Sequence, residues 1–219
     1  MRFNHCLVNG KVEGSKVGCV LSLPFRYLDG EKFMDRSVYG HLCTNHGSKW
    51  QLDGRYFDGV STNRISVPHT SCLNLSEAIT VEALAKTETV SGFGDIVSKA
   101  NVGLGDGWWL YRDSASLGVQ INLAGWRTLI WDNAFVVGSF LYGSFTYDKQ
   151  ILILYAGGDN VARANYTGSI TTNNYPLSIG YEPGAATDPF YGVIGRVKIF
   201  SRAEYAARIL GRAIEARRG

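Results

Sequence analysis

Four histidines, four cysteines and a thin scatter of carboxylates are the residues of this chain that could act on a substrate, and their spacing is poor for that work. His5, His41, His46 and His69 all lie in the first third. His41 and His46 stand five residues apart in a glycine-rich loop and could share a metal ion, although solvated loop histidines fit the same pattern. No G-x-S-x-G nucleophile elbow and no phosphate-cradling glycine loop occurs. Cys6, Cys19, Cys43 and Cys72 form no C-x-x-C pair, which argues against structural zinc. Free core thiols or disulfides remain, with three complete pairings open. These residues designate no catalytic residue, no metal ligand and no cofactor.

Sugar recognition needs different groups: an aromatic face that stacks on a pyranose ring, flanked by side chains that reach its hydroxyls. In Gly107-Trp108-Trp109-Leu110-Tyr111-Arg112-Asp113, strand alternation that turns Leu110 and Trp108 inward leaves Trp109, Tyr111 and Asp113 on the other face. Trp126 and Trp131-Asp132-Asn133 follow soon after. Tyr181, Asp188, Phe190 and Tyr191 make a second candidate patch. The same aromatics could equally line a core between two sheets, and both readings stay open.

Charge is concentrated at one end. The net charge is +3, and residues 201–219 alone carry five arginines against two glutamates, so the body is neutral. A neutral body argues against a nucleic-acid face, which would spread Lys and Arg over a groove. Ser201-Arg202-Ala203-Glu204 has capping-box spacing, and Ala206, Ile209, Leu210, Ala213 and Ile214 recur at helical intervals. Residues 201–219 are therefore expected to form an amphipathic helix. Its apolar stripe would pack on the body, and Arg208, Arg212, Arg217 and Arg218 would dock on an outside partner.

What must position these groups is a strand-rich body. The clearest strand is Leu117-Gly-Val119-Gln-Ile121-Asn-Leu123, which alternates strictly between core and outer face. Further strands are expected at Cys19 to Phe25, Arg64 to Val67, Ile79 to Lys86, Asp95 to Lys99, Trp108 to Tyr111, Gln150 to Tyr155, Pro176 to Tyr181 and Val193 to Phe200. Gly157-Gly158-Asp159-Asn160 reads as a hairpin turn. The reading is all-β: one two-sheet antiparallel sandwich over residues 1–200, followed by the C-terminal helix. No apolar run is long enough to span a bilayer, so membrane insertion is not expected. Met1 to Cys6 lacks the apolar stretch of a signal peptide, so the sequence given is expected to hold no export signal: either one has been removed, or the protein reaches its site by assembly or cell lysis.

Several phrases then carry a resemblance. Tyr56-Phe57-Asp58-Gly59-Val60, Ile65-Ser66-Val67-Pro68, Leu73-Asn74-Leu75-Ser76 and Ile79-Thr80-Val81-Glu82-Ala83 follow the opening of laminin-G-like domains. Ile96-Val97-Ser98-Lys99, Leu177-Ser178-Ile179-Gly180 and Gly192-Val193-Ile194-Gly195-Arg196-Val197 come after them in the family's order. Over roughly residues 19–210 the chain resembles the concanavalin A-like, laminin-G-like jelly rolls. That resemblance implies a jelly-roll sandwich but not one function, since lectins, adhesion modules, glucanases and lyases share the scaffold. A related glucanase would carry E-x-D-x-E on one strand. Here Glu82 stands alone, read as a structural sheet glutamate. Calcium, which some relatives bind, would need a carboxylate where this chain has Gly195, with Arg196 beside it, so Asp35 and Asp58 are read as loop caps. The expectation is a non-catalytic lectin- or adhesin-like module at an extracellular or virion surface, whose partner is a glycan or surface protein. The alternative is a structural protein of a larger assembly, such as a capsid-decoration or tail protein, whose partners are other subunits.

Overall fold

A computed structural model describes residues 18–101, 103–182 and 188–218. His5 and Cys6 lie outside the described residues, as do the side chains of Arg217 and Arg218. The first third folds into β1 (Cys19–Pro24), β2 (Lys32–Met34), β3 (Leu42–His46), β4 (Lys49–Gln51), β5 (Gly54–Asp58) and β6 (Arg64–Val67). The longer strands follow: β7 (Ile79–Thr87), β8 (Phe93–Asn101), β9 (Asp106–Asp113), β10 (Ser116–Asn122) and β11 (Trp126–Trp131). β12 (Phe140–Tyr147), β13 (Ile151–Ala156), β14 (Asp159–Asn165), β15 (Leu177–Ile179) and β16 (Tyr191–Phe200) complete the strands, and α1 (Ala206–Arg218) ends the chain.

Two eight-stranded sheets result. The first runs β14-β13-β12-β7-β16-β5-β4, with β1 also paired to β16; the second runs β11-β10-β9-β8-β15-β6-β3-β2. Every pairing is antiparallel. Between the sheets lies the core. Leu117, Val119 and Ile121 of β10, and Leu123 just after it, face inward as their alternation requires, and Ile79, Val81, Ala83 and Ala85 do so from β7. Trp108 meets Phe145 edge-on across the gap at 5.8 Å between ring centroids. Each such large apolar side chain contributes roughly 1.5–3 kcal/mol on burial, and this layer is what holds the sheets together.

Alternation also decides what each sheet shows to the outside. On β7 it turns Thr80, Glu82 and Leu84 away from the core. Pairing then lines Glu82 up with Lys198 of β16 and Ser144 of β12, and Lys198 with Ser22 of β1. On the second sheet the corresponding outer row is Ser66, Ser178, Ser98, Trp109, Gln120 and Thr128. One outer face is ionic and the other is neutral with an aromatic centre.

The helix starts at Ala206, four residues later than the capping-box spacing predicts. Ser201 Oγ donates instead to the Gly18 carbonyl, and Glu204 receives arginines from the helix itself. Thr80 Oγ1 fixes the approach, donating to the Arg202 carbonyl at 2.7 Å and accepting from Glu204 N–H at 2.9 Å. Ile209 and Ala213 then pack onto Tyr142 and Tyr155 of the first sheet. The β13–β14 turn makes room for this. Gly157 and Gly158 both have positive φ, and a Cβ on Gly158 would lie 2.9 Å from Leu210 Cδ1.

Candidate functional site

On the second sheet the expected geometry holds but the expected exposure does not. Trp109 and Tyr111 do turn to the outer face, yet they are only 7% and 2% exposed. The expectation of an open stacking platform at these two residues is therefore corrected. The rings close on one another: Trp109 stacks on Trp126 at 6.2 Å and tilts against Tyr111 at 5.3 Å. Tyr111 lies flat over Gly118, where a Cβ would sit 2.3 Å from its Cζ, and burial pushes its phenol up to about 12. Trp126 and Asp113 remain half-buried at the edges of this cluster. Trp131, at the far end of β11, is exposed.

The second expected patch assembles only in part, with Asp188 near Tyr181 and Phe190 N–H donating to the Gly180 carbonyl at 2.9 Å, and it is not open. Tyr191 opens β16 in the first sheet and meets Tyr56 edge-on, while Tyr181 follows β15 in the second sheet and is buried, as is Phe190. Asp188 is half-buried and gives its backbone carbonyl to Asp95 N–H at 2.9 Å. Burial, then the Asp188 and Glu182 carboxylates, hold the Asp95 carboxyl well above the usual range.

The arginines of the helix divide. Arg212 was expected to reach outward, but it sits on the same side as Ile209 and Ala213, and that side faces the sheet. Its Nε donates to both oxygens of Glu82, at 2.8 and 2.9 Å, and its Nη2 also reaches Glu82 Oε1. Nη1 lies 3.5 Å from Glu204, and the guanidinium stacks 4.7 Å over Phe200. Glu82 is 1% exposed and Glu204 5%. Glu82 is thus the structural glutamate expected, held by a residue expected to do something else. Arg208 does reach water, with a half-exposed side chain and one loose contact, 3.5 Å, to Glu204.

Beside this ion cluster a cavity of about 590 Å³ opens between α1 and the outer face of β1 and β16. Ser22, Arg36, Lys198, Arg208 and Arg212 line it, with Glu215 as its one acid. A smaller lobe of about 280 Å³ shares Ser22, Lys198 and Glu215 and continues to Arg26 and Arg196. Burial, then the neighbouring Arg196 guanidinium, push the Lys198 ammonium below its ordinary value. Sequence reasoning missed Lys198, Ser22 and Arg36. A lysine on the outer face of a last strand looks like ordinary surface until the pairing places it beneath a helix.

The remaining chemistry is structural. Asp35 accepts from the backbone N–H groups of Ser22 at 3.2 Å, of Ser37 at 2.6 Å and of His41, and Asp58 accepts from Val60 N–H at 3.1 Å. Among the described residues no group of three or more His, Cys, Asp or Glu is placed to hold a metal ion. His41 is buried against Tyr39, and His46 contacts Ser66 Oγ from β3, so neither is the solvated loop histidine expected. Cys72 is disulfide-bonded. Cys19 and Cys43 are buried free thiols, which burial pushes up to about 11 and about 12.

Several solved structures share this architecture. The botulinum neurotoxin serotype D ligand-binding domain in complex with N-acetylneuraminic acid matches at TM-score 0.74 and 14% identity, over 90% of this chain and 51% of that one. The serotype G binding domain matches at TM-score 0.72 and 13% identity, over 90% and 51% of the two chains. The binding domain of Paraclostridial Mosquitocidal Protein 1 matches at TM-score 0.69 and 16% identity, over 90% and 52%. The chain spans about half the length of each, and at these identities the likeness is one of fold. No curated protein sequence matches the chain. A family model matches residues 57–210, well over half of the chain, and places it by sequence where the paired sheets place it by structure: the chain belongs to the concanavalin A-like lectin/glucanases superfamily.

Proposed function

We propose that this protein is a non-catalytic binding module for carbohydrate or another cell-surface ligand, and that the cleft between α1 and the first sheet receives it. The observation that carries this reading is the fate of Glu82. A glycosidase on this scaffold needs two carboxylates free to act at one bond. The acid that faces outward from the central strands is closed off by the Arg212 fork, while an open polar cavity lies beside it. A cavity of about 590 Å³ falls within the roughly 300–1,000 Å³ typical of small-ligand sites. Structural neighbours named as binding domains, one with N-acetylneuraminic acid and one with synaptotagmin II, support a sugar or a surface protein as ligand, and a place outside the cell. Among the described residues no helix is long and apolar enough to cross a membrane.

The test is a glycan array probed with the full chain, run beside a polysaccharide panel assayed for reducing ends and unsaturated sugars. Binding without turnover is the expected result. Turnover abolished by Glu82→Gln would replace this reading with a catalytic one. Binding to neither glycans nor cell surfaces would return the chain to a part in a larger assembly.

A further inference from the structure

We infer that the cleft between α1 and strands β1 and β16 takes an acidic saccharide, one bearing carboxylate or sulfate, with Lys198, Arg208 and the Ser22 hydroxyl as its primary contacts. This rests on the proposed function and names the ligand class and the residues that recognise it.

Charge satisfaction decides the ligand's sign. Arg212 is saturated by Glu82 and Glu204, and Arg36 is held by Asp29 at 3.0 Å. The Lys198 ammonium has no hydrogen bond or ion pair among the described residues, although Arg196 and Arg212 crowd it with like charge. Glu82, its neighbour in the pairing, already gives both oxygens to Arg212. Arg208 has its single contact of 3.5 Å to Glu204, which Arg202 and Arg212 also share. Against Lys198 and Arg208 the main cavity sets one acid, the exposed Glu215, so the cleft keeps a positive balance over a partly desolvated floor, where an anion gains more than it would at an open surface.

Shape and polarity decide the class. The smaller lobe extends the cavity past Lys198 toward Arg196 and Arg26; of its two acids, Asp53 is held by Lys86 at 2.6 Å and Glu215 is shared with the main cavity, so cations recur along its length. Ser22 lies in both lobes, and its hydroxyl has no hydrogen bond among the described residues. A chain of sugar rings, rich in hydroxyls and bearing repeated acid groups, matches a groove that sets cations on either side of the Ser22 hydroxyl. An isolated inorganic anion would use one lobe only.

The measurement is calorimetric titration of the full chain with a sulfated heparin-derived tetrasaccharide, a tetragalacturonate, neutral cellotetraose and an oligoglutamate peptide. One or both acidic saccharides should bind, and which one does identifies the acid group. Affinity should fall as salt rises, because partly exposed charges are screened over about 8 Å at physiological ionic strength. Lys198→Met and Arg208→Gln should each weaken binding about tenfold, the loss expected of one charge-assisted contact. Arg208 is half-exposed, so its variant folds regardless of what Lys198→Met does to stability. Trp126→Ala should leave affinity unchanged. Saccharide binding that survives both cation variants but is lost in Trp126→Ala would overturn the inference and leave the proposed function standing. Oligoglutamate binding as tightly as the saccharides would overturn it in favour of an anionic peptide. Failure of every saccharide here and on the array, with cell-surface binding retained, would overturn this inference alone; loss of cell-surface binding as well would remove both readings.

Discussion

The two outer faces of the sandwich follow the same alternation rule and come out opposite in character. On the second sheet the outward row is neutral, and its aromatics bury one another: Trp109 on Trp126, Tyr111 on Gly118. On the first sheet the outward row carries Lys198 and Glu82, which cannot close in that way. A charged pair needs partners in fixed positions, and the helix supplies Arg212 for one of them only. The cavity lies where that neutralisation is incomplete. The lesson is that aromatic content is a poor guide to an open site, because aromatic faces satisfy each other, whereas a charge without a counterion has to remain reachable by one.

The largest effect should come from breaking the ionic face. Arg212→Ala leaves Glu82 buried without its partner, while Glu204 keeps Arg202 and Arg208, and should cost about 4 kcal/mol by chemical denaturation. Removing residues 212–219, which would be harmless if the helix end served only a partner, should cost a similar amount because Arg212 and Ala213 go together. If either variant unfolds at the parent's denaturant midpoint, the helix is an appendage and the contrast between the faces disappears.

Trp109→Ala tests the neutral face and should cost about 3 kcal/mol, within the range for removing a buried aromatic, without weakening saccharide binding. A loss of affinity at unchanged stability would make the aromatic row a site after all. A third measurement concerns the rim of that sheet. Because burial and the Asp188 and Glu182 carboxylates raise the Asp95 pKa, the folded state holds this proton more tightly than the unfolded chain. The stability this contributes is full below about pH 4 and is lost as pH rises toward the folded value. Asp95→Asn should therefore be more stable than the parent at neutral pH, with the advantage shrinking as the solution is acidified; melting curves across that range would show it. The smallest change should be Arg208→Ala, about 0.5 kcal/mol in stability, since the pair is half-exposed and loose. Its effect on ligand affinity should be far larger than its effect on folding.

Much of the body was legible because burial on one face imposes a period of two. β10, β6 and the turn at Gly157-Gly158 stand where the pattern puts them, and β16 begins two residues before its expected start. Strands without that signal were not found. β4 is exposed at all three positions, and β14 alternates only weakly at a sheet edge. β12 hid because Tyr142 on its outer side is as apolar as Phe145 on its inner side, the one covered by the helix and the other by the opposite sheet.

Sequence alone determined the sandwich, the closing helix, the family resemblance and the lack of an E-x-D-x-E triplet around Glu82. These follow from local spacing, which each strand or motif carries within itself. Tertiary structure decided which groups are open. Burial of Trp109 depends on Trp126, 17 positions along the chain, and the inward turn of Arg212 depends on Glu82, 130 positions away. Lys198 joined the candidate site because β16 pairs with both β1 and β7 while α1 crosses above them. Exposure is a property of what packs over a residue, and strand spacing does not encode that.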